Sequence, residues 1–363
     1  MKKFFYLIAL AFVSNCIFAQ SYTIGYGTGT SNPYIRNNNG GTVTTVLSLP
    51  ADSVLSAAQT IPFSFNFFGT PVTQYKASDN GYITFDVSST TSYSSNTSIP
   101  DAGGPNNAIY AFWDNLRLAS GAGVADKVVS WTYGTTGNRV HVIQWVSATA
   151  VSGTGSFLWA TIRLYECGDF DIVLDASNYT AGLSATIGAE NATGTVGVQT
   201  ATSPNAGFPA SATDDVDPTD DYVVSFINTG VLYDVQVNSV NVPSYVPAGS
   251  TNITSNFTNT GSTAVNSITF QYTIDGGTPV SGTTSGLSIA PGSSADVTHV
   301  TAWTAPIGNH TIVVTPTSVN GNADGRSCNN SGSKSIFVYD NTNSAPRTPL
   351  FEIFTSSTCP PLS

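Results

Sequence analysis

The sequence predicts an all-β protein: two consecutive antiparallel β-sandwich domains behind a signal peptide, with a short unfolded or truncated C-terminal tail. Three observations predict it. Thr, Ser, Asn and Gly are abundant beside 16 Tyr and 19 Phe, and β-branched and aromatic residues set between Gly and Asn turns favour strands. No long window carries an amphipathic helical period. The apolar residues alternate instead over short runs broken by turn dipeptides, as strands with one buried face require.

Residues 1–19 read as the signal peptide. Lys2 and Lys3 form a basic start, Phe4 to Val13 an apolar core too short for a membrane span, and Ile17-Phe18-Ala19 a cleavage site before Gln20. Lipidation at Cys16 is the rival, but Asn15 is a poor neighbour for it, so export with cleavage is the expectation. No later run approaches the roughly 20 apolar residues of a membrane helix, so a transmembrane protein is not expected. The chain carries a net charge of −11, and loss of Lys2 and Lys3 makes it more acidic. That sign argues against nucleic acid and anionic membranes, and serves solubility. Cys167, Cys328 and Cys359 survive processing. An odd count leaves at least one thiol without a partner in this chain. Cys328 has Cys167 and Cys359 as alternatives, and spacing alone does not choose between them.

The first domain is expected over 20–229. After a polar, Gly-rich stretch with the strand candidate Thr42–Leu49, Ile61, Phe63, Phe65 and Phe67 share one strand face. Asn80-Gly81 is a turn, with Tyr82–Phe85 as the return strand. Ala108 to Leu116 is a buried strand ending in polar residues. Val128–Tyr133 and Arg139–Val146 form one hairpin, and Phe157–Glu166 and Phe170–Leu174 another around Cys167-Gly168-Asp169. Thr186–Ala189, Val196–Gln199 and Tyr222–Ile227 complete a sandwich pattern.

Several residues here could carry chemistry. Asp114 beside Trp113 is more simply a strand-end cap for backbone donors. His141 has no second ligand or nucleophile in metal or catalytic spacing. Glu166, Asp169 and Asp171 cluster at a hairpin tip, where turn chemistry explains the Asp residues. The sharpest signal is Asp214, Asp215, Asp217, Asp220 and Asp221. Five carboxylates in one short stretch repel one another unless solvated or bridged. They are candidate ligands for calcium, which takes hard oxygens, although the EF-hand spacing is absent. A solvated acidic loop is the alternative. No other cofactor is expected.

The second domain is expected over 230–340. Tyr233–Val240 alternates; Asn252–Thr258 follows; Ser267–Ile274 and Thr278–Thr283 flank the Asp275-Gly276-Gly277 turn. Val297–Trp303 and His310–Pro316 read as a further pair, and Ser335–Tyr339 as the last strand. That strand count suits an immunoglobulin-like sandwich. His299 and His310 could meet across strands, but two histidines do not close a zinc site. Asn320, Asn322 and Asp324 alternate oxygens around Gly321 and Gly325, and an Asn/Asp/Gly turn accounts for them.

The motifs F-N-F-F-G (65–69), D-N-G-Y-I-T-F (79–85) and A-F-W-D-N-L (111–116) resemble the nidogen-like extracellular domain, found in secreted proteins of Bacteroidota. The resemblance implies a non-catalytic extracellular module. F-T-N-T-G (257–261), Y-T-I-D-G-G (272–277), I-A-P-G (289–292) and V-N-G-N-A-D-G (319–325) resemble the CARDB-like, bacterial immunoglobulin-type family, which implies a spacer or adhesive module. Residues 341–363 are expected to be a linker and the truncated start of a third domain. R-T-P-L-F-E-I-F-T-S-S-T-C-P-P (347–361) resembles the thioredoxin-like domain of Omp-twenty-eight-related outer membrane proteins. That resemblance makes Cys359 the first thiol of a C-x-x-C pair, yet position 362 is Leu, so the redox activity does not carry over to these residues.

Together these readings anticipate an exported protein, extracellular or associated with the outer membrane and cell surface. Its role is non-enzymatic: binding, adhesion or spacing, with a glycan or an extracellular protein as partner. The alternative is a fragment of an outer-membrane thiol-redox protein whose catalytic domain is missing. A sandwich hydrolase around Asp114 or Glu166 lacks any triad or paired-acid signature.

Overall fold

A computed structural model describes residues 22–28, 38–119, 126–209, 221–340 and 342. Among them the protein is all-β, and its only helical turn is the 3₁₀ turn Ser327–Asn329.

The first half opens with β1 (Tyr22–Thr28), β2 (Thr44–Ser48) and β3 (Ala51–Asp52), then β4 (Gln59–Phe67), β5 (Thr70–Ser78), β6 (Tyr82–Thr84), β7 (Ala108–Trp113) and β8 (Leu116–Leu118). It continues with β9 (Lys127–Tyr133), β10 (Val140–Ala150), β11 (Leu158–Tyr165), β12 (Phe170–Ser177), β13 (Thr186–Glu190), β14 (Gly197–Gln199) and β15 (Tyr222–Asn228). A nine-stranded sheet runs β1-β15-β12-β11-β10, where β10 pairs with β9 and then β2 on one stretch and with β8 and β3 on another. A six-stranded sheet runs β14-β13-β7-β6-β5-β4.

Period-two alternation decides what each face meets. From the small sheet, Phe65, Phe67, Ile83 and Ile109 face Ile143, Trp145, Ile162, Phe170 and Phe226 of the large one, all in one core. The opposite face of the large sheet carries a second apolar layer of Val129, Trp131, Val142 and Trp159. The large sheet is therefore buried on both sides in its middle, and polar residues on its outer face have little water to turn to.

Two expectations about pairing are corrected. Tyr82–Phe85 does return from the Asn80-Gly81 turn, but onto β5, which lies between β4 and β6. β5 was not anticipated, because only its second half, Tyr75 to Ser78, contains most of its buried residues. Gly81 holds this turn at φ +78°, where its carbonyl accepts from the amides of both Ala111 and Phe112.

The second half comprises β16 (Val235–Val240), β17 (Tyr245–Pro247), β18 (Gly249–Thr251), β19 (Thr254–Asn259), β20 (Val265–Ile274) and β21 (Val280–Ile289). Then come β22 (Ser294–Thr298), β23 (Trp303–Ala305), β24 (Gly308–Val319), β25 (Asn322–Ala323) and β26 (Gly332–Tyr339). One sheet runs β16-β19-β22 and the facing one β17-β26-β24-β20-β21. Phe257, Ile268, Phe270, Ile312, Val314 and Val338 fill the core between them. The second correction falls here. Val297–Trp303 and His310–Pro316 are not a hairpin: β22 pairs with β19, whereas β24 sits between β20 and β26. The chain changes sheet between them, as Greek-key connections do. β17 runs parallel to β26, in contrast to the antiparallel pairing elsewhere.

Candidate functional site

The most elaborated polar site joins the two sandwiches. Its first component is the β11–β12 hairpin tip. Gly168 at φ +93° lets the chain reverse, and its amide donates to the Tyr165 carbonyl at 2.9 Å. This presents Cys167 and Asp169 on one end of the large sheet. The second component is the 3₁₀ turn after β25. Asp324 accepts from the amides of Val235 and Arg326 and from Asn330 Nδ2, at 3.0, 3.3 and 2.8 Å. Asn329 Nδ2 donates to Asp234 at 2.9 Å. The turn is thus fastened to the start of β16 before it touches the first sandwich.

Across the junction, Cys167 and Cys328 form a disulfide with Cα atoms 5.6 Å apart. Arg326 Nη2 donates to Asp169 Oδ2 at 2.5 Å, and the Ser327 hydroxyl donates to the Gly137 carbonyl at 2.8 Å. The other Asp169 oxygen accepts from the Asn228 amide at 2.9 Å, at the very end of β15. The ion pair is nearly dry, with side chains 12% and 9% exposed. Burial pushes the Asp169 carboxyl up, and the Arg326 guanidinium pulls it back. Burial and the neighbouring Asp234 likewise push Asp324 up. Beside the tip, Arg139 forks onto Glu166 and holds its carboxyl down at about 2.

Ligand atoms of Cys167, Asp169 and Cys328 lie within 4.8 Å of one another. They are not a metal centre in this state: both sulfurs are consumed by the S–S bond, and thiolates, not disulfides, ligate metals. The arrangement is a covalent and ionic clasp.

The residues anticipated from sequence fall elsewhere. Asp214, Asp215, Asp217, Asp220 and Cys359 lie outside the described residues, as do the expected signal peptide over 1–19 and nearly all of 341–363. Asp221 is described and is fully buried, so for this residue the solvated-loop expectation is corrected. The β12–β15 register runs from Phe170↔Phe226 to Leu174↔Tyr222. Carried one residue further, it sets Asp175 opposite Asp221. Asp175 is also fully buried. Its Oδ2 accepts from Thr161 Oγ1 at 2.6 Å and Gln144 Nε2 at 3.2 Å, while Oδ1 has no hydrogen-bond partner among the described residues. Burial first, then the Asp221 carboxylate, push Asp175 up to about 8.

Asp114 caps the amides of Asn115 and Ser184 at 2.7 and 3.0 Å, as a strand-end Asp should. His141 is a core histidine between Thr132 Oγ1 at 2.7 Å and the Tyr75 hydroxyl at 3.2 Å. Burial pushes it down to about 4. His299 lies edge-on to Phe270 and Tyr272, while His310 pairs with Asp275 at 2.7 Å. The two histidines thus serve different neighbours. The Asn320 oxygen accepts from the amides of Asn266 and Ser267, so it is spent on turn geometry. Asp169 and Asp171 are more than turn residues: Asp171 holds Arg163 and the Tyr165 hydroxyl, each at 2.6 Å. Sequence reasoning missed Arg326, the residue that gives Asp169 its role.

Fold and clasp define a two-sandwich β protein, its halves locked together by a disulfide and a buried ion pair. The chain belongs to the NIDO-related family, whose family model matches residues 21–228. Among solved structures, it is similar to the crystal structure of a CARDB domain from Pyrococcus furiosus in complex with di-metal ions. The identity is 22%, the TM-score 0.23, and the match covers 30% of this chain and 90% of that one. A solution NMR structure of the same Pyrococcus furiosus domain is similar at 21% identity and a TM-score of 0.24, covering 30% of this chain and 96% of that one. No curated protein matches the chain.

Proposed function

We propose that this is an exported, cell-surface or extracellular protein that acts by binding rather than by catalysis, presenting two sandwiches at one set angle. The observation that carries the reading is the clasp of Cys167–Cys328 with Asp169–Arg326. A disulfide persists in oxidising compartments, and a linker tied at a second point no longer swivels. β1 and β15 are neighbours, with Tyr22 opposite Asn228. The chain therefore enters and leaves the first sandwich at one place, which suits a binding head better than a lengthwise spacer. Small-angle scattering of the secreted protein tests this: one compact profile when oxidised, and a broader distribution of sizes for a Cys167→Ser, Cys328→Ser variant. Identical profiles would remove the basis of the reading.

The partner this reading favours is a neutral glycan. The outer face of the second sandwich bears Thr269, Gln271, Thr273, Thr311 and Ser335, with the Asp275–His310 pair at the edge beside Thr311. At its corner stand Tyr245, Phe337 and Tyr339, exposed by 72%, 39% and 39%. Rings for sugar CH faces beside hydroxyls for hydrogen bonds fit an uncharged saccharide. Glycan-array binding lost in a Tyr245→Ala, Phe337→Ala variant with unchanged melting temperature supports it; an empty array with the parent protein refutes it. Membership of the Omp-twenty-eight-related family, with Cys359 as a redox thiol, belongs to the same proposal and rests on the 347–361 motif. A longer reading frame with a second Cys would support it.

A further inference from the structure

Three neighbouring strands of the large sheet bring a hydroxyl, a carboxamide and a carboxyl together in its dry middle. Gln144 on β10 stands directly opposite Thr161 on β11, and such cross-strand partners keep their Cβ atoms about 4.5–5.5 Å apart. Asp175 comes from β12, the next strand along. The side chains of Gln144, Thr161 and Asp175 are all buried. The apolar layer of Val129, Trp131, Val142 and Trp159 lies on the same face of the sheet.

Asp175 Oδ2 is the point where they meet. Thr161 Oγ1 donates to it at 2.6 Å and Gln144 Nε2 at 3.2 Å. Both donors share this one oxygen, although Oδ1 of the same carboxyl accepts no hydrogen bond among the described residues. Oδ2 thus touches the oxygen of a nucleophile and the nitrogen of a leaving group at once. Acyl transfer needs this arrangement: a base beside the hydroxyl and, on the same atom, a proton donor for the departing amine. Burial and the Asp221 carboxylate push Asp175 up to about 8, so its carboxylate is a stronger base than that of an ordinary Asp.

We propose that Thr161 and Gln144 condense into an ester that ties β10 to β11, with Asp175 carrying the proton. The Oγ1 lone pair attacks Gln144 Cδ as Asp175 Oδ2 takes the hydroxyl proton. The tetrahedral centre then collapses, the Cδ–Nε2 bond breaks with its electron pair on nitrogen, and Asp175 returns the proton to that nitrogen. One Oγ1–Cδ bond replaces one Cδ–Nε2 bond, one ammonia leaves, and no oxidant or cofactor is consumed. Opposed positions in an ordered sheet supply a high effective concentration. Exclusion of water protects the ester once formed, and escape of ammonia into solvent removes the partner of the reverse step. The reaction is a single event of the chain on itself, compatible with a protein that acts by binding. Its product is a covalent rung in mid-sheet, which resists a pull that unzips hydrogen bonds one at a time.

The test is mass spectrometry of the full secreted chain, unfolded and digested. No Lys or Arg lies between Arg139 and Arg163, so trypsin should release both residues in peptide 140–163, and that peptide should lack the mass of one ammonia. Its position separates the ester from cyclisation of Gln20 at an exposed N-terminus, which also expels ammonia. Chymotryptic cleavage between the two residues, at Trp145 or Phe157, should leave the halves joined, and hydroxylamine, which cleaves esters and spares ordinary amides, should part them. Thr161→Val, which loses the hydroxyl, and Asp175→Asn should each give peptide 140–163 at full mass, whereas Thr161→Ser should keep the deficit. The proposal is overturned if the parent's peptide 140–163 has its full mass, or if Thr161→Val or Asp175→Asn shows the parent's deficit. The parent measurement decides even where a variant fails to fold.

Discussion

Replacing Arg326 with Met tests the clasp directly. In the native protein Asp169 is 9% exposed, with one oxygen on the Asn228 amide and the other on Arg326. An exposed ion pair would be worth little, but this one is nearly dry, and breaking a buried pair leaves an uncompensated charge at a cost of about 3–5 kcal/mol. Arg326→Met should therefore destabilise the protein by about that much at neutral pH. Adding Asp169→Asn removes the nearer orphaned charge and should recover part of the loss, the remainder belonging to the buried Asp234, which lies 3.9 Å from Arg326 Nη1. The pH dependence has a definite sign. Burial already raises the Asp169 carboxyl, and Arg326 opposes that rise. Without Arg326 the folded pKa climbs further above the unfolded one. The variant's stability should then fall as pH rises above about 4, more steeply than that of the parent. Urea unfolding followed by tryptophan fluorescence reads this out, because Trp113, Trp131, Trp145 and Trp159 report on the first sandwich and Trp303 on the second. A single variant within about 0.5 kcal/mol of the parent, or a double variant showing simple additivity, would refute the argument.

Two further outcomes are expected. His141 is held down to about 4 from an ordinary 6.5, so the unfolded chain binds its proton first as pH falls. Stability should be complete above about 6.5 and drop by about 3 kcal/mol towards pH 4; a His141→Gln variant should lose that slope in urea melts between those limits, and an unchanged slope would place the titration elsewhere. Gly81→Ala would put a Cβ 2.1 Å from the Phe112 carbonyl oxygen at φ +78°. Backbone cannot yield as a flexible side chain does, so a loss of about 1–3 kcal/mol is expected in the same assay, with neutrality showing that the β6–β7 contact is looser than described.

What the sequence made legible is what lies within a few residues of itself. The Ile61 to Phe67 alternation, the two hairpins around 134–138 and 167–169, and the Asp275-Gly276 turn all follow from local period and turn chemistry. β5 escaped because Thr70, Pro71 and Gln74 are exposed and break the alternation that marks a buried face. β1 escaped because a polar, Gly-rich stretch becomes a strand only through β15. The site residues show the same division. Asp114 caps amides near its own strand end, as a local reading says. Asp169 reads as a turn residue until Arg326, 157 positions away, is set beside it. Asp175 reads as the polar end of the Phe170 to Leu174 run; only the neighbouring β15 shows that it is buried and opposed. Cys328 had two partners to choose from, and the fold selects one by bringing Cα atoms to 5.6 Å.

The pairing of β1 with β15 also sets an order of events. A chain made from its N-terminus produces Tyr22 long before Asn228, its partner. The earliest strand of the first sandwich is thus the last to be paired, and closing so long a loop makes this a slow, late step. Cys167 waits longer still, for a thiol 161 residues on. Until β15 is made, the β12 edge of the large sheet stays open, with the row of amides and carbonyls that invites a foreign strand. The first sandwich therefore completes its sheet only when β15 is made, and gains its disulfide only when most of the second sandwich, up to Cys328, has followed.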